Sequence, residues 1–559
     1  MIIGSLKLDN GLEHFRIILR TYSLAVFFLT VICALDSCTR DFDPTERCDL
    51  ASWRFVGEGR EMDSKFLITC DSAVVISAVD TMGYRLLKLK DDVFSMVGSS
   101  SEDMFNPLLI SGTLEGLEDV NGNEQFKLSN SLLNSEINCH SIEAIFSFNK
   151  VGVILYKCQG SSELQLLDVP TRTKKVLVSN SFNFHAASYS EATKTLVLSY
   201  DEELMCYDLE RSRLWKIKGL PGGEKLNPSV VNDELYFVNN EGSEFYRIYR
   251  CRIGGSSTQV EVIYETGHDL RLPKSNGAAL YFLELVNSEY LLKRINDQGE
   301  VCYITSSGVV YNYEFFFDEE MLISYSDAST PLSILRYDLN DNSISNLTSK
   351  VVNTGISIRT IPMDNEGSVA YELIPPHGER TKGSILFFHP GLHGDFSPRW
   401  DPILMNMCVN GYRILAPNYP MSIGYGKRFY NSGFGDALES LSRCKNYLLQ
   451  YGQPLHYLSS SSGNLLMEEL LTSDVKGVSS AASLFGTYRI EGQKIPIPVM
   501  YFLGENDPIV NFQDRKNDLL RVGRYVVWKS YSDEGHWFRK PMNREDAVRS
   551  LLSFFCANP

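Results

Sequence analysis

The sequence predicts an N-terminal all-β propeller of seven blades followed by a C-terminal domain of α/β layers. Three observations predict it. Between about residue 45 and residue 355 short strand patterns recur with a period of roughly 40 residues. After Val352 the texture changes to short, continuous apolar runs alternating with helical patterns. The polar residues suited to catalysis then fall just past the ends of those apolar runs.

The chain is 559 residues long, which gives ample length for two or more cores. With 53 Lys and Arg against 69 Asp and Glu it is acidic, and no cluster of basic residues interleaves with aromatics, so nucleic acid is not an expected partner. The 12 cysteines are scattered without C-x-x-C or His-containing spacing; no metal site and no cofactor are expected from them.

Residues 1–38 read as a targeting segment. Arg16 and Arg20 precede an apolar run from Tyr22 to Leu35. At roughly fourteen residues that run is short for a membrane span and right for a signal-peptide core. It closes on Leu35-Asp36-Ser37-Cys38, which resembles a bacterial lipobox with an unusual Asp. The alternatives are a cleaved signal peptide, a short signal anchor, or a lipoprotein signal with Cys38 lipidated and the chain anchored to a membrane. Each implies a secreted or extracytoplasmic location. Cysteine pairing then becomes available, with a connectivity that sequence does not give.

In the region 45–355 the repeat is marked by a strand ending in an apolar-polar-apolar triplet or its equivalent. It recurs at Leu87-Lys88-Leu89, Phe126-Lys127-Leu128, Leu167-Asp168-Val169, Tyr207-Asp208-Leu209, Cys251-Arg252-Ile253, Lys293-Arg294-Ile295 and Tyr337-Asp338-Leu339. Preceding strands stand upstream of several markers, as in Gly152–Tyr156, Thr195–Ser199, Leu235–Val238 and Leu280–Leu283. Four strands of five or six residues with tight turns fill about forty residues, the size of one propeller blade. A sandwich or barrel with evenly spaced strands is the alternative.

The second domain, 356–559, begins with the strand patterns Ser368–Ile374 and Ser384–Phe388. The latter runs into His389-Pro390-Gly391-Leu392-His393, where the N–H of Gly391 is free of side-chain obstruction and Pro390 has none to offer. Tyr412–Pro417 is a further buried strand, and Asp436 is the expected N-cap of the helix carrying Leu438, Leu441, Cys444 and Leu448. Then comes a short apolar run, a turn of small residues Ser459-Ser460-Ser461-Ser462-Gly463, and a helical pattern from Asn464. Strand, sharp turn and helix with a serine at the apex is the layout of an α/β-hydrolase nucleophile elbow, although serine-rich turns are mostly just turns. Asp507 follows the strand Val499–Leu503, and His536 follows Tyr525–Trp528. His536 is the only histidine after Ser461. The order Ser461, Asp507, His536 gives a nucleophile, an orienting acid and a general base; Glu505 and Asp533 are alternative acids, Asp533 lying in the same turn as the histidine.

A propeller followed by an α/β-hydrolase domain resembles the prolyl oligopeptidase family of serine peptidases, in particular its acylaminoacyl-peptidase and dipeptidyl-peptidase branches. The family's H-G-G-P-H loop appears as His389–His393 and its N-Y-R-G-S-x-G-Y-G stretch as Asn418–Gly426. G-x-S-x-G-G appears as Ser459–Asn464, G-x-x-D-x-x-V as Gly504–Val510, and D-E-G-H-x-F is intact from Asp533 to Phe538. The resemblance implies Ser461, Asp507 and His536 as the catalytic triad, the N–H groups of Gly391 and Ser462 as the oxyanion hole, and a propeller that admits only short peptides. The departures are Ser459 and Asn464 for glycines and Pro420-Met421 for Arg-Gly. A short link also joins Gly486 to Pro498, where relatives carry several tens more residues that help to form the specificity pocket.

The leading expectation is thus a serine peptidase acting on short peptides. An esterase or acyltransferase working on a specialised peptide-derived substrate, and a catalytically silent binding protein, are the alternatives. Oligomeric state is left open.

Overall fold

The computed structural model describes the chain from Glu61 to Pro559 apart from short internal segments, of which 487–494 is the longest. The targeting segment, Cys38 and most of the short link before Pro498 lie outside the described residues.

From Glu61 to Asn346 the chain forms consecutive meanders, antiparallel except where Tyr290 pairs Val309 in parallel within the last sheet. They are a four-stranded sheet over Glu61–Ser100, a seven-stranded sheet over Asp103–Val178, four-stranded sheets over Phe184–Lys216 and Leu226–Tyr264, and an eight-stranded sheet over Asp269–Asn346. Each repeat marker lies on, or at the end of, the third strand of a four-strand run. In the seven-stranded sheet this holds because the long strand Ser135–Phe148 closes one run and opens the next.

The alternation of side chains along each strand explains why the sheets stack. Leu196 and Leu198 pack with Leu177 and Tyr207, whereas Val197 between them packs with Leu204, Cys206, Leu235 and Phe237. Four strands on, Leu235 and Phe237 face one core, and Tyr236 and Val238 face the next with Leu280 and Phe282. Tyr281 and Leu283 then face a further one. Since successive residues point to opposite faces, a strand that is apolar at every position must be covered on both sides, and neighbouring sheets supply the cover.

The C-terminal region is one eight-stranded sheet. Its strands are β1 (Ser357–Pro362), β2 (Val369–Ile374), β3 (Gly383–Phe388), β4 (Tyr412–Pro417), β5 (Leu455–Ser460), β6 (Val478–Leu484), β7 (Val499–Gly504) and β8 (Val526–Tyr531), in the order β1-β2-β4-β3-β5-β6-β7-β8. β2 runs antiparallel to β1 and β4; β3 through β8 are mutually parallel. The helices are α1 (Pro402–Val409), α2 (Lys427–Tyr430), α3 (Phe434–Leu449), α4 (Gly463–Ser473), α5 (Phe512–Val522) and α6 (Pro541–Ala557). In β3, Ile385 and Phe387 join a core with Leu404 of α1 and Leu551 of α6, while Leu386 and Phe388 join the opposite core with Leu441 of α3 and Leu466 of α4. Cover on both faces is why these strands read as continuous apolar runs.

One sequence expectation is corrected. The N-cap of α3 is Gly433, and Asp436 sits three residues inside, where its carboxylate accepts the Gly433 N–H at 2.9 Å. Asp436 still stabilises the helix start, through that bond and the positive end of the helix dipole.

The β region meets β2 and the segments that follow β3 and β4. The Trp400 N–H donates to Ser326 Oγ (3.1 Å), the Arg428 N–H donates to Glu244 Oε1 (2.7 Å), and Tyr371 Oη donates to the Asn287 carbonyl. In a parallel sheet those segments start beyond the carboxyl ends of the strands, where ligands bind in this class.

Candidate active site

β5 ends at Ser460, and Ser461 takes a left-handed conformation with φ +48° before α4 begins at Gly463. A non-glycine residue in that region is strained by roughly 1–2 kcal/mol. The turn is held by two backbone bonds, Ser461 N–H to the Leu484 carbonyl at 2.9 Å and Asn464 N–H to the Ser461 carbonyl at 3.1 Å. Gly463 presses the elbow onto the end of β3: a Cβ there would stand 2.5 Å from the carbonyl oxygens of both Phe388 and His389. The elbow therefore abuts the loop that carries Gly391.

Ser461 Oγ lies 2.8 Å from His536 Nε2, and His536 Nδ1 lies 2.8 Å from Asp507 Oδ2. The side chains of His536 and Asp507 are almost fully buried, 1% and 3% exposed, so their interaction is little screened by water. The other oxygen of Asp507 accepts the N–H groups of Ile509 (2.8 Å) and Val510 (2.9 Å), which fixes the carboxylate's orientation. With Nδ1–H donated to Asp507, Nε2 is left to accept from the serine hydroxyl.

The alternative acids are elsewhere engaged. Glu505 accepts from Ser530 Oγ at 2.7 Å, and Asp533 takes Lys540 Nζ at 2.7 Å and Asn543 Nδ2 at 3.0 Å. The neighbouring Glu534, fully buried, accepts the N–H groups of Arg539 and Lys540 and the amide of Asn543. It clamps the loop that presents His536, and its burial raises its pKa against the effect of those donors. Gly504, at the end of β7, lies so close to the same loop that a Cβ would collide with the Gly535 carbonyl.

The departures from glycine at the elbow build a polar network beneath it. Ser459 and Asn464 are fully buried. Ser459 Oγ donates to Asn464 Oδ1 (3.2 Å), and Asn464 Nδ2 donates to Glu468 Oε1 (2.6 Å). That carboxylate oxygen also accepts from Tyr501 Oη (3.0 Å) and Arg515 (2.9 Å), whose guanidinium stacks over the Tyr501 ring. Met421, standing where glycine is the usual residue, has φ +96°.

Gly391 has φ +72°, and Ser462 is the N-cap of α4 in a helical conformation. The Gly391 loop is anchored by His389, which is buried and stacks on Tyr419 with ring centroids 4.1 Å apart. His389 Nδ1–H donates to the Pro390 carbonyl (3.2 Å), so Nε2 accepts from Ser422 Oγ (3.0 Å). Burial pulls its pKa down to about 4, leaving the ring neutral at neutral pH. Sequence reasoning assigned no role to His389, Glu534, Glu468 or Arg515. The intact D-E-G-H signature was the available signal for Glu534, and none pointed to Arg515. Among the described residues no group of three or more His, Cys, Asp or Glu is arranged to hold a metal ion.

No family model matches the sequence, and no curated protein matches it. Solved structures do. A Mycobacterium tuberculosis puromycin-hydrolyzing peptidase aligns over 88% of this chain and 94% of its own, at 14% identity and a TM-score of 0.71. Oligopeptidase B from Trypanosoma brucei aligns over 99% and 93% at 11% identity and a TM-score of 0.75. The Pyrococcus horikoshii acylaminoacyl peptidase aligns over 89% and 95% at 12% identity and a TM-score of 0.65. These neighbours are peptidases of the prolyl oligopeptidase family. At such identities the likeness is one of fold, and the fold this chain shares with them is a propeller followed by an α/β-hydrolase domain.

Proposed function

We propose that this protein is a serine hydrolase of prolyl oligopeptidase type that cleaves peptide bonds in short peptides. The observation that carries the reading is the unbroken chain of contacts from Ser461 Oγ through His536 to Asp507, 2.8 Å at each link, with the serine at φ +48° on a strand-to-helix turn. In this reading the Ser461 hydroxyl attacks the carbonyl carbon while its proton passes to His536 Nε2. Asp507 steadies the imidazolium that forms, and the N–H groups of Gly391 and Ser462 receive the developing oxyanion. Collapse of the tetrahedral intermediate breaks the C–N bond, and His536 returns the proton to the leaving amine. Water then attacks the acyl-enzyme with His536 again as base, releasing the acid and regenerating Ser461. The peptidases named above support a peptide substrate, and a propeller that filters access, as the family resemblance implies, favours short ones. A fluorophosphonate probe should label the wild-type protein at Ser461 and leave Ser461→Ala unlabelled; labelling that survives the substitution would sink the assignment.

Seven repeat markers on third strands support a seven-bladed count for the propeller over 45–355, with the catalytic domain at 356–559. We also propose export, with Cys38 as the site of lipid attachment. Cys556 is disulfide-bonded, which fits an oxidising compartment. Cys38→Ser should move the protein from the membrane to the soluble fraction. An unchanged distribution would refute lipidation.

A further inference from the structure

A cavity of about 350 Å³ lies between the β region and the α/β domain. That is within the roughly 300–1,000 Å³ of small-molecule sites. Its walls are mainly apolar, with Phe396, Trp400, Phe485 and Trp537 contributing aromatic surface, while Tyr311 and Leu332 close it from the β region. Pro390, Ser460 and Trp537 also line it. These are the chain neighbours of Gly391, Ser461 and His536, so the cavity adjoins the site. Trp537 is 41% exposed, although it follows a buried histidine. An exposed tryptophan on a cavity wall is apolar surface waiting for cover.

Four charged side chains face this space: Asp395, Arg399, Asp401 and Arg544. The two acids are already engaged by neutral donors. Asp401 Oδ1 accepts the N–H groups of Ile403 and Leu404, 3.0 Å each, at the start of α1. Asp395 takes Ser397 Oγ (3.3 Å) and is flanked by Tyr290 and Ser288. Burial raises the pKa of both. Arg399 lies in the field of both acids and of Tyr311, yet among the described residues no carboxylate comes within 4.0 Å of its guanidinium. A guanidinium presents five N–H donors in a planar fork that fits a carboxylate.

We propose that this cavity binds the free carboxyl terminus of a short peptide whose last residue is large and apolar. The carboxylate sits on Arg399 and the side chain against Trp400, Phe485 and Trp537. The inference deepens the hydrolase reading and rests on it for one consequence: a terminus held beside Ser460 and Pro390 places a bond near that terminus at Ser461, so cleavage releases a C-terminal residue or a very short fragment.

The test is a titration of the full chain carrying Ser461→Ala with three ligands, N-acetylphenylalanine, its C-terminal amide and N-acetylglycine, followed by calorimetry. The free acid is expected to bind at least about tenfold more tightly than the amide and than N-acetylglycine, a tenfold difference being about 1.4 kcal/mol. In the Arg399→Gln background the acid-to-amide ratio is expected to fall below about threefold. Equal binding of acid and amide overturns the proposal, as does no detectable binding of either up to the solubility limit. The contrast between ligands needs no change at Arg399, so it decides even where Arg399→Gln fails to fold. No turnover is measured, so failure here is distinct from failure of fluorophosphonate to label Ser461.

Discussion

Asp507 and His536 are carried by loops that meet backbone to backbone, with Gly504 packed directly on the Gly535 carbonyl and Glu534 tying the histidine loop through three donors. Ser461 is carried by a turn that rests on buried side chains in addition to its backbone contacts. Ser459, Asn464 and Glu468 run from the strand into the helix, and Arg515 and Tyr501 complete the network from α5 and β7. A tight turn can thus be held either by removing atoms, as glycine does, or by filling the space with buried polar groups that bond one another. The second route costs more when it is broken, because every member is buried and a stranded charge cannot reach water.

Four single substitutions, one of them also paired with Arg515→Leu, test that contrast. The largest expected effect is from Glu468→Ala, which takes away the carboxylate that the Arg515 guanidinium, itself 0% exposed, bonds at 2.9 Å. We expect a loss of about 3–5 kcal/mol in urea unfolding. Pairing it with Arg515→Leu should restore part of the loss; no restoration would mean that the pair does not act as a unit.

Acid should loosen the elbow side through its buried histidines. His456 on β5 bonds Ser480 Oγ and stacks on Phe555, and burial pulls its pKa down to about 3. Its ordinary value is about 6.5, so between those two limits the unfolded chain binds the proton and the folded chain does not. The stability held above pH 6.5 is therefore lost progressively as pH falls, and His389, with a pKa of about 4, adds to the loss in the same direction. His456→Phe should gain stability relative to wild type by a few kcal/mol between pH 7 and pH 4, as the proton-linked loss disappears. A difference between the two proteins that does not change with pH would contradict this.

On the histidine side, Gly504→Ala forces a Cβ into the Gly535 carbonyl and should cost about 1–3 kcal/mol in thermal unfolding. It should also slow fluorophosphonate labelling, since the loop it displaces carries His536. Asn464→Gly is the mildest change. It removes the link between Ser459 and Glu468 and should cost about 1–2 kcal/mol, with labelling retained. If Gly504→Ala left labelling untouched while Asn464→Gly abolished it, the roles given to the two sides would be reversed.

The juxtaposition of Ser461, His536 and Asp507 was legible in the sequence because each residue closes a short apolar run, the three keep the Ser, Asp, His order, and His536 had no rival. The choice of Asp507 over Glu505 and Asp533 needed coordinates, since it depends on which carboxylate reaches Nδ1. The propeller repeat was legible because each marker recurs at the same strand of its run. The elbow network was not: Arg515 lies 47 residues beyond Glu468, and only the packing of α5 against β7 brings them together. A glycine caps with its backbone and leaves no side-chain signal, so the sequence points to Asp436 although Gly433 is the cap. Arg399 lies in Asp395–Asp401, a stretch without periodicity, and nothing in the sequence says that it faces a cavity.

The central claim is that Ser461 forms an acyl-enzyme. Rapid quenching of the wild-type protein with a slowly deacylating peptide ester, followed by intact mass and peptide mapping, tests it directly. A transient adduct of the acyl mass on Ser461 is expected, absent from Ser461→Ala and greatly slowed in Asp507→Asn. Turnover of that ester with no adduct on Ser461, or an adduct on another residue, would contradict it.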